Sequence, residues 1–217
     1  DANPVIHGLV FWAGIGALMR IVSLPFSIFH TFWIEAAFGF NKTTPKTFAI
    51  DQIKGTLLGI LLGAPVLSGI LSFFEWQGPR AWFIAWVALV IFQLLLAFIA
   101  PAFLLPLFNR FTPLEPGALK DSITALASQE NFAMQGVYTM DGSKRSSKAN
   151  AFFTGFGRFK RIVLFDTLIQ KHTVAELTAI LAHEIGHFKL GHIPKQMLLG
   201  IIEMGLLFWL FSVFGKL

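Results

Sequence analysis

Cysteine is missing from all 217 residues, so neither a disulfide framework nor a thiolate metal site is available to this chain. Charge is scarce as well. Asp, Glu, Lys and Arg make up 13% of the residues, about half the share usual in soluble domains. A chain so poor in polar side chains cannot cover a water-soluble fold, and a membrane location is the first expectation. No internal repeat and no low-complexity tract is visible, which sets repeat architectures aside. No signal peptide pattern is present either. With Asp1 at its start and an apolar segment just before Leu217, the sequence reads as a fragment cut at both ends.

What is abundant is apolar. Hydrophobic residues reach 55%, with 25 Phe and 6 Trp. Net charge is +5 at a pI of about 9.7. In a soluble protein that balance would raise nucleic acid as a partner. Beside membrane spans, positive loops explain it more simply, and no nucleic-acid partner is expected.

Four stretches are long and apolar enough to cross a bilayer. Gly8 to Ile34 is the first, interrupted by Arg20, Pro25 and His30. Arg20 is costly in lipid and should face protein or water, and Pro25 should kink the helix or begin its exit. Glu35 to Lys54 reads as a polar loop. Gly55 to Phe74 carries no charge, and Glu75 to Arg80 reads as a turn around Gly78-Pro79. Ala81 to Phe108 is a second uncharged run, expected to bend at Pro101 and Pro106. Met197 to Phe214 is the last, marred by Glu203. Between them, residues 109–196 hold 11 of the 17 Lys and Arg and 7 of the 12 acids, which marks a water-facing domain. Lys42, Lys46 and Lys54 outnumber Arg80, so positive-inside logic places residues 39–54, and with them that domain, on the cytoplasmic side.

Within the domain the periodicity predicts a helix over 116–129, a strand over 136–140, a polar turn over 141–148, and strands over 150–156 and 161–166 joined around Gly157. Thr173-x-x-Glu176 is a capping box. It opens a helix expected from about Val174 to Leu190, stopped by Gly191. The fold class that follows is a predominantly α, polytopic helical membrane protein with a small α+β zincin-like cytoplasmic domain. About three transmembrane helices are expected over 1–108, the domain over 109–196, and a further transmembrane helix over 197–217.

That last domain helix carries His183-Glu184-Ile185-Gly186-His187, the pattern H-E-x-x-H. Positions i and i+4 share one helix face, so the two imidazoles can meet one zinc ion. Glu184 lies at the edge of the same site, where it can take a proton from an attacking water. Hydrolytic zinc sites use three protein ligands and an open position. After Glu184 the chain contains one further acid, Glu203, inside an apolar run. The third ligand is therefore expected beyond Leu217, and the 217 residues alone are expected to bind zinc weakly and to lack activity. His192 is out of register for a metzincin third ligand and fits a helix end, with a supporting role near the metal as the alternative. Glu176 is balanced between the capping box and a place behind the metal ligands. Asn150 to Gly155 reads either as an ordinary hairpin strand or as an edge strand that binds extended peptide.

Several stretches together resemble a known family, the type I CAAX prenyl proteases, which are integral-membrane zinc metalloproteases. They are Phe38-Gly39-Phe40-Asn41-Lys42-Thr43-Thr44, Asp141 to Ser147 (DGSKRSS), Asn150-Ala151, Lys160 to Leu168 (KRIVLFDTL) and His183 to His192. The resemblance implies a helical membrane chamber with one Zn2+ ion. His183 and His187 would be ligands, Glu184 the catalytic base, and a downstream Glu the third ligand. It also implies that the Asn150-Ala151-Phe152 strand lines the substrate groove. The family usually has His-Ser where this chain has Lys148-Ala149, and Tyr where it has Phe152, which bears on substrate preference. The reading is a zinc-dependent membrane metalloendopeptidase acting near the C-terminus of prenylated or other membrane-associated peptides. The alternatives are a heat-shock-type membrane zinc protease and, for a truncated chain, a non-catalytic membrane scaffold.

Overall fold

The computed structural model describes residues 3–77, 80–155 and 160–214. Four long apolar helices and one small sheet organise it. Helix α1 runs from Pro4 to Ala37 through a wide π turn at His30–Ile34. Helix α2 covers Pro45–Gln77. Helix α3 covers Ala81–Phe108, with a second π turn at Ala100–Leu104. The last helix, α7, covers His192–Phe214. Mean hydropathies of 1.8, 2.0, 2.7 and 2.1 make all four long and apolar enough to span a bilayer. Their large side chains point outward, as lipid-facing residues do: Phe11 is 61% exposed, Phe98 64% and Phe211 75%.

Local chemistry explains where these helices differ from the sequence reading. Residues 35–54 are not one loop. Pro45 opens α2, because a proline at the first helical position gives up an N–H that had no partner anyway. Lys46 and Lys54 are therefore helical, and the connecting loop shrinks to residues 38–44. Helix α1 continues past Pro25 to Phe29 before its π turn, so Pro25 does not end it. Pro101 sits in the other π turn, where widening absorbs its missing hydrogen bond and bulky ring. The final span starts five residues earlier than expected, at His192. The Gly78-Pro79 turn and the Gly157 turn lie outside the described residues.

The chain forms two compact units. The first comprises residues 1–38, 44–94 and 198–217. Within it Arg20 is satisfied by protein: its guanidinium donates to the Gln52 carbonyl (3.1 Å) and to the Gln52 side-chain oxygen. Trp86 Nε1 donates to the Ile201 carbonyl (3.0 Å), and Gly205 leaves room for the indole, since a Cβ there would come within 3.0 Å of it. Small residues at such crossings let helices approach where lipid offers no hydrophobic drive.

The second unit comprises residues 39–43 and 95–197. Its sheet has the order β1-β2-β4-β3, with β1 Phe111–Pro113, β2 Gly136–Met140, β3 Ala151–Thr154 and β4 Arg161–Phe165. Strand β4 is central, parallel to β2 and antiparallel to β3. Three successive β4 residues, Ile162, Val163 and Leu164, are buried, which is why this strand reads as an unbroken apolar run. Helix α4 (Ala118–Gln129), the short α5 (Asp166–Lys171) and α6 (Val174–Lys189) complete the unit. Ile123, Ile162, Leu164, Leu177, Leu181 and Ile185 form the heart of its core, each at most 2% exposed. Complete burial of such a side chain is worth about 1.5–3 kcal/mol.

Candidate metal centre

Helix α6 is set by its own first turn. Thr173 Oγ1 accepts the Glu176 N–H (3.3 Å), and Glu176 Oε2 accepts the Thr173 N–H (2.8 Å), the reciprocal pair of a capping box. His172 Nδ1 lies 3.7 Å from the same carboxylate. The Thr173 hydrogen bonds hold the Glu176 carboxyl below the usual carboxylate range. Its half of the cap is thus present at neutral pH and lost as pH falls through that lowered value. Glu176 is therefore engaged at the start of the helix, about 10 Å along the axis from His183. Thr173→Ala should cost the domain about 1 kcal/mol, read as a lowered denaturant midpoint at unchanged slope.

Burial then orients the motif. Leu177, Leu181 and Ile185 recur at a spacing of four and face the core, beside Ile123 and Ala127 of α4. His183 is two positions from Leu181, about 200° round the helix, so burying the leucines turns His183 and His187 outward and Glu184 to the flank. The burial agrees: both histidines are exposed and Glu184 is half-buried. His183 Nε2 and His187 Nε2 face one another at 3.0 Å. Two imidazoles on one tetrahedral metal with bonds of 2.0–2.1 Å have nitrogens about 3.3 Å apart. The pair fits a metal after opening by a few tenths of an ångström.

The end of α6 brings in a third imidazole. Gly191 has φ +66°, and the Gly191 N–H reaches the Phe188 carbonyl (3.0 Å), which closes the helix. His192 does not end that helix; it begins α7. The turn sets its Nδ1 2.6 Å from His187 Nδ1. A metal-bound histidine usually engages its other ring nitrogen with a partner that fixes the tautomer, and this contact is of that form. Among the described residues no group of three or more His, Asp or Glu is close enough to hold a metal ion.

Strand β3 lies beside α6 and is an edge strand. Asn150 directly precedes it and is exposed; its carbonyl accepts the Phe165 N–H (3.0 Å) and its side chain accepts the Ala151 N–H (2.9 Å). Ala151 points into the core at 7% exposure, whereas Phe152 meets the Phe165 ring edge-on at 6.2 Å.

One feature escaped the sequence reading. Lys160 is only 7% exposed, and its ammonium lies 4.2 Å from the Phe132 ring centre and 3.9 Å from that of Phe188. Burial lowers its pKa from the ordinary lysine value. Phe188 immediately follows His187, so this sandwich holds the last turn of the motif helix. A lysine beside a β-strand carries no such signal until the fold places two aromatic rings around it.

Residues 1–110 match the family described as "CAAX prenyl protease N-terminal, five membrane helices", and residues 113–216 match peptidase family M48. The chain belongs to the CAAX prenyl protease branch of family M48. An Arabidopsis thaliana CAAX prenyl protease 1 homolog is 44% identical over 191 residues, covering 88% of this chain and 45% of that protein. CAAX prenyl protease 1 of Saccharomyces cerevisiae is 41% identical, covering 97% of this chain and 47% of its own length. The crystal structure of S. mikatae Ste24p superposes with a TM-score of 0.93 at 40% identity, over 98% of this chain and 49% of that one. The chain thus spans about half the length of the curated M48 relatives it matches.

Proposed function

We propose that the protein to which this chain belongs is a zinc-dependent membrane endopeptidase. It hydrolyses peptide bonds near the C-terminus of prenylated or other membrane-associated substrates. The observation that carries the reading is the 3.0 Å approach of two outward-facing imidazole nitrogens, beside Glu184, on a helix whose opposite face is locked into the core. Family membership supplies the prior, since relatives of this chain are named as CAAX prenyl proteases.

Zinc, when bound, polarises a peptide carbonyl and acidifies a water molecule. His183 and His187 would hold it through Nε2, and His192 would keep His187 in the tautomer that leaves Nε2 free. Glu184 accepts a proton from the attacking water and returns it to the leaving amine nitrogen. Asn150, Ala151 and Phe152 line the groove, where the strand edge takes an extended peptide. A third ligand comes from a part of the protein outside these 217 residues. The domain over 109–196 lies on the cytoplasmic side, between three spans and a fourth, in keeping with the lysine-rich 39–54 segment.

The test is cleavage of a farnesylated C-terminal peptide by the full-length protein in detergent. Cleavage should stop on zinc chelation and return on zinc addition. Cleavage of casein without any cleavage of the prenylated peptide would replace this reading with a quality-control protease. Activity untouched by chelation would overturn the metal chemistry.

A further inference from the structure

The stretch DGSKRSSK, which the proposed chemistry leaves without a role, ties two exits from the apolar helices to one point. Arg145 is that point. Its carbonyl accepts the Lys42 N–H (3.0 Å) and the Thr43 hydroxyl (3.0 Å) from the loop joining α1 to α2. Its guanidinium donates to Asn109 Oδ1 (3.0 Å), the residue directly after α3. Ser147 completes the clip, donating its N–H to the Phe40 carbonyl (2.9 Å) and its hydroxyl to the Gly39 carbonyl (3.0 Å). Gly142 lets the turn press on the sheet, since a Cβ there would lie 2.4 Å from the Phe165 ring.

Helices α1 and α2 have 34 and 33 residues, and so are about 50 Å long at 1.5 Å per residue. A bilayer with its headgroups is about 40–45 Å thick. A loop joining two such helices lies at the level of the headgroups, and Arg145 holds the DGSKRSSK turn to it.

Four lysines surround this clip, and all are exposed. Lys42 is in the loop and Lys144 in the turn. Lys148 Nζ lies 5.0 Å from the Phe40 ring centre, and Lys171 donates to the Ser147 carbonyl. Asp141 of the turn and the neighbouring Asp166 are each engaged by local donors. Asp166 accepts from the Ser143 N–H (2.8 Å), the Ser143 hydroxyl and the Thr167 N–H (2.8 Å). Asp141 accepts the Arg110 N–H (2.6 Å). The exposed face carries the charge of the four lysines beside Phe40, which is 39% exposed. Exposed cations with aromatic rings at headgroup depth are the chemistry of an anionic membrane surface.

We infer that Lys42, Lys144, Lys148 and Lys171 form a binding surface for the headgroups of anionic phospholipids, built on the Arg145 clip. The inference rests on the spans, not on the proteolytic reading, so it stands or falls separately from it.

The test uses the full-length protein in nanodiscs of phosphatidylcholine with a minority of phosphatidylserine. Lipids retained after transfer to detergent are counted by native mass spectrometry. Wild type should retain phosphatidylserine over phosphatidylcholine, less so at high salt. Exchange of all four lysines for Gln should cut that preference at least about fivefold, and exchange of all four for Arg should keep it. A thermal melt confirms that each variant is folded; should the Gln variant not fold, pairwise Lys→Gln exchanges replace it and should lower the preference stepwise. No preference in wild type, or equal preference in folded Lys→Gln protein, overturns the proposal. So does displacement of the lipid by free glycerophosphoserine at equal concentration, which would mean that a soluble phosphate is the ligand.

Discussion

Glu184→Gln in the full-length protein should lower kcat/KM for a farnesylated peptide by about a thousandfold while zinc content stays at the wild-type level. The exchange keeps the size of the side chain and removes its ability to accept a proton. General acid–base groups contribute roughly 10²–10⁴ in rate, and Glu184 is asked to act twice, on the water and on the leaving nitrogen. It sits at the flank of the pair His183 and His187, half-buried between the outward histidines and the inward Ile185. Zinc content should hold because neither imidazole changes. Mass spectrometry of the metal and steady-state kinetics on the same preparation check both halves. Activity within tenfold of wild type would remove Glu184 from the mechanism, and a parallel loss of zinc would make it a ligand instead of a base.

The second large effect concerns the support behind the site. Leu181→Ala should destabilise the sheet-containing unit by about 2–5 kcal/mol, the cost of a large-to-small change at a fully buried core position. Leu181 has 0% exposure and stands between Leu177 and Ile185 on the face that α6 presents to the core. For a unit of this size the loss corresponds to a melting point lower by roughly 10–20 °C. The same change should weaken zinc retention, since the core contact of Leu181 fixes the rotation of the helix that aims His183. A thermal melt followed by circular dichroism, with and without zinc, reads both. A shift under 2 °C would mean that α6 is held chiefly by its cap and by Lys160.

Much of this site was legible in sequence because its determinants are local. The capping box needs only Thr173 and Glu176 three residues apart, and both of its hydrogen bonds form. The i, i+4 spacing of His183 and His187 carries its own geometry, and the helix ends where a glycine with positive φ takes over. Strand β4 was legible as an apolar run with one side at Arg161. The helix start at Pro45 was open to misreading, because a polar, lysine-bearing segment after Thr44 looks the same as a loop until helix α2 is seen to need a first turn. His192 was read as the end of one helix when it is the beginning of the next. One residue of left-handed backbone at Gly191 separates the two, and only its geometry says which helix the histidine joins.

By itself the sequence determined the class of the molecule. Scarce charge and long apolar runs require lipid-facing helices, the absence of cysteine removes thiolate ligands, and H-E-x-x-H on an amphipathic helix defines two imidazoles and a carboxylate. The tertiary structure decided everything that joins distant segments. It set His192 against His187 across a turn, placed Lys160 between Phe132 and Phe188, and drew residues 39–43 and Asn109 onto Arg145. Periodicity and capping are written in residues a few positions apart, so a sequence displays them. Pairings such as Thr43 with Arg145, 102 residues apart, depend on how the chain closes on itself, and no local pattern records them.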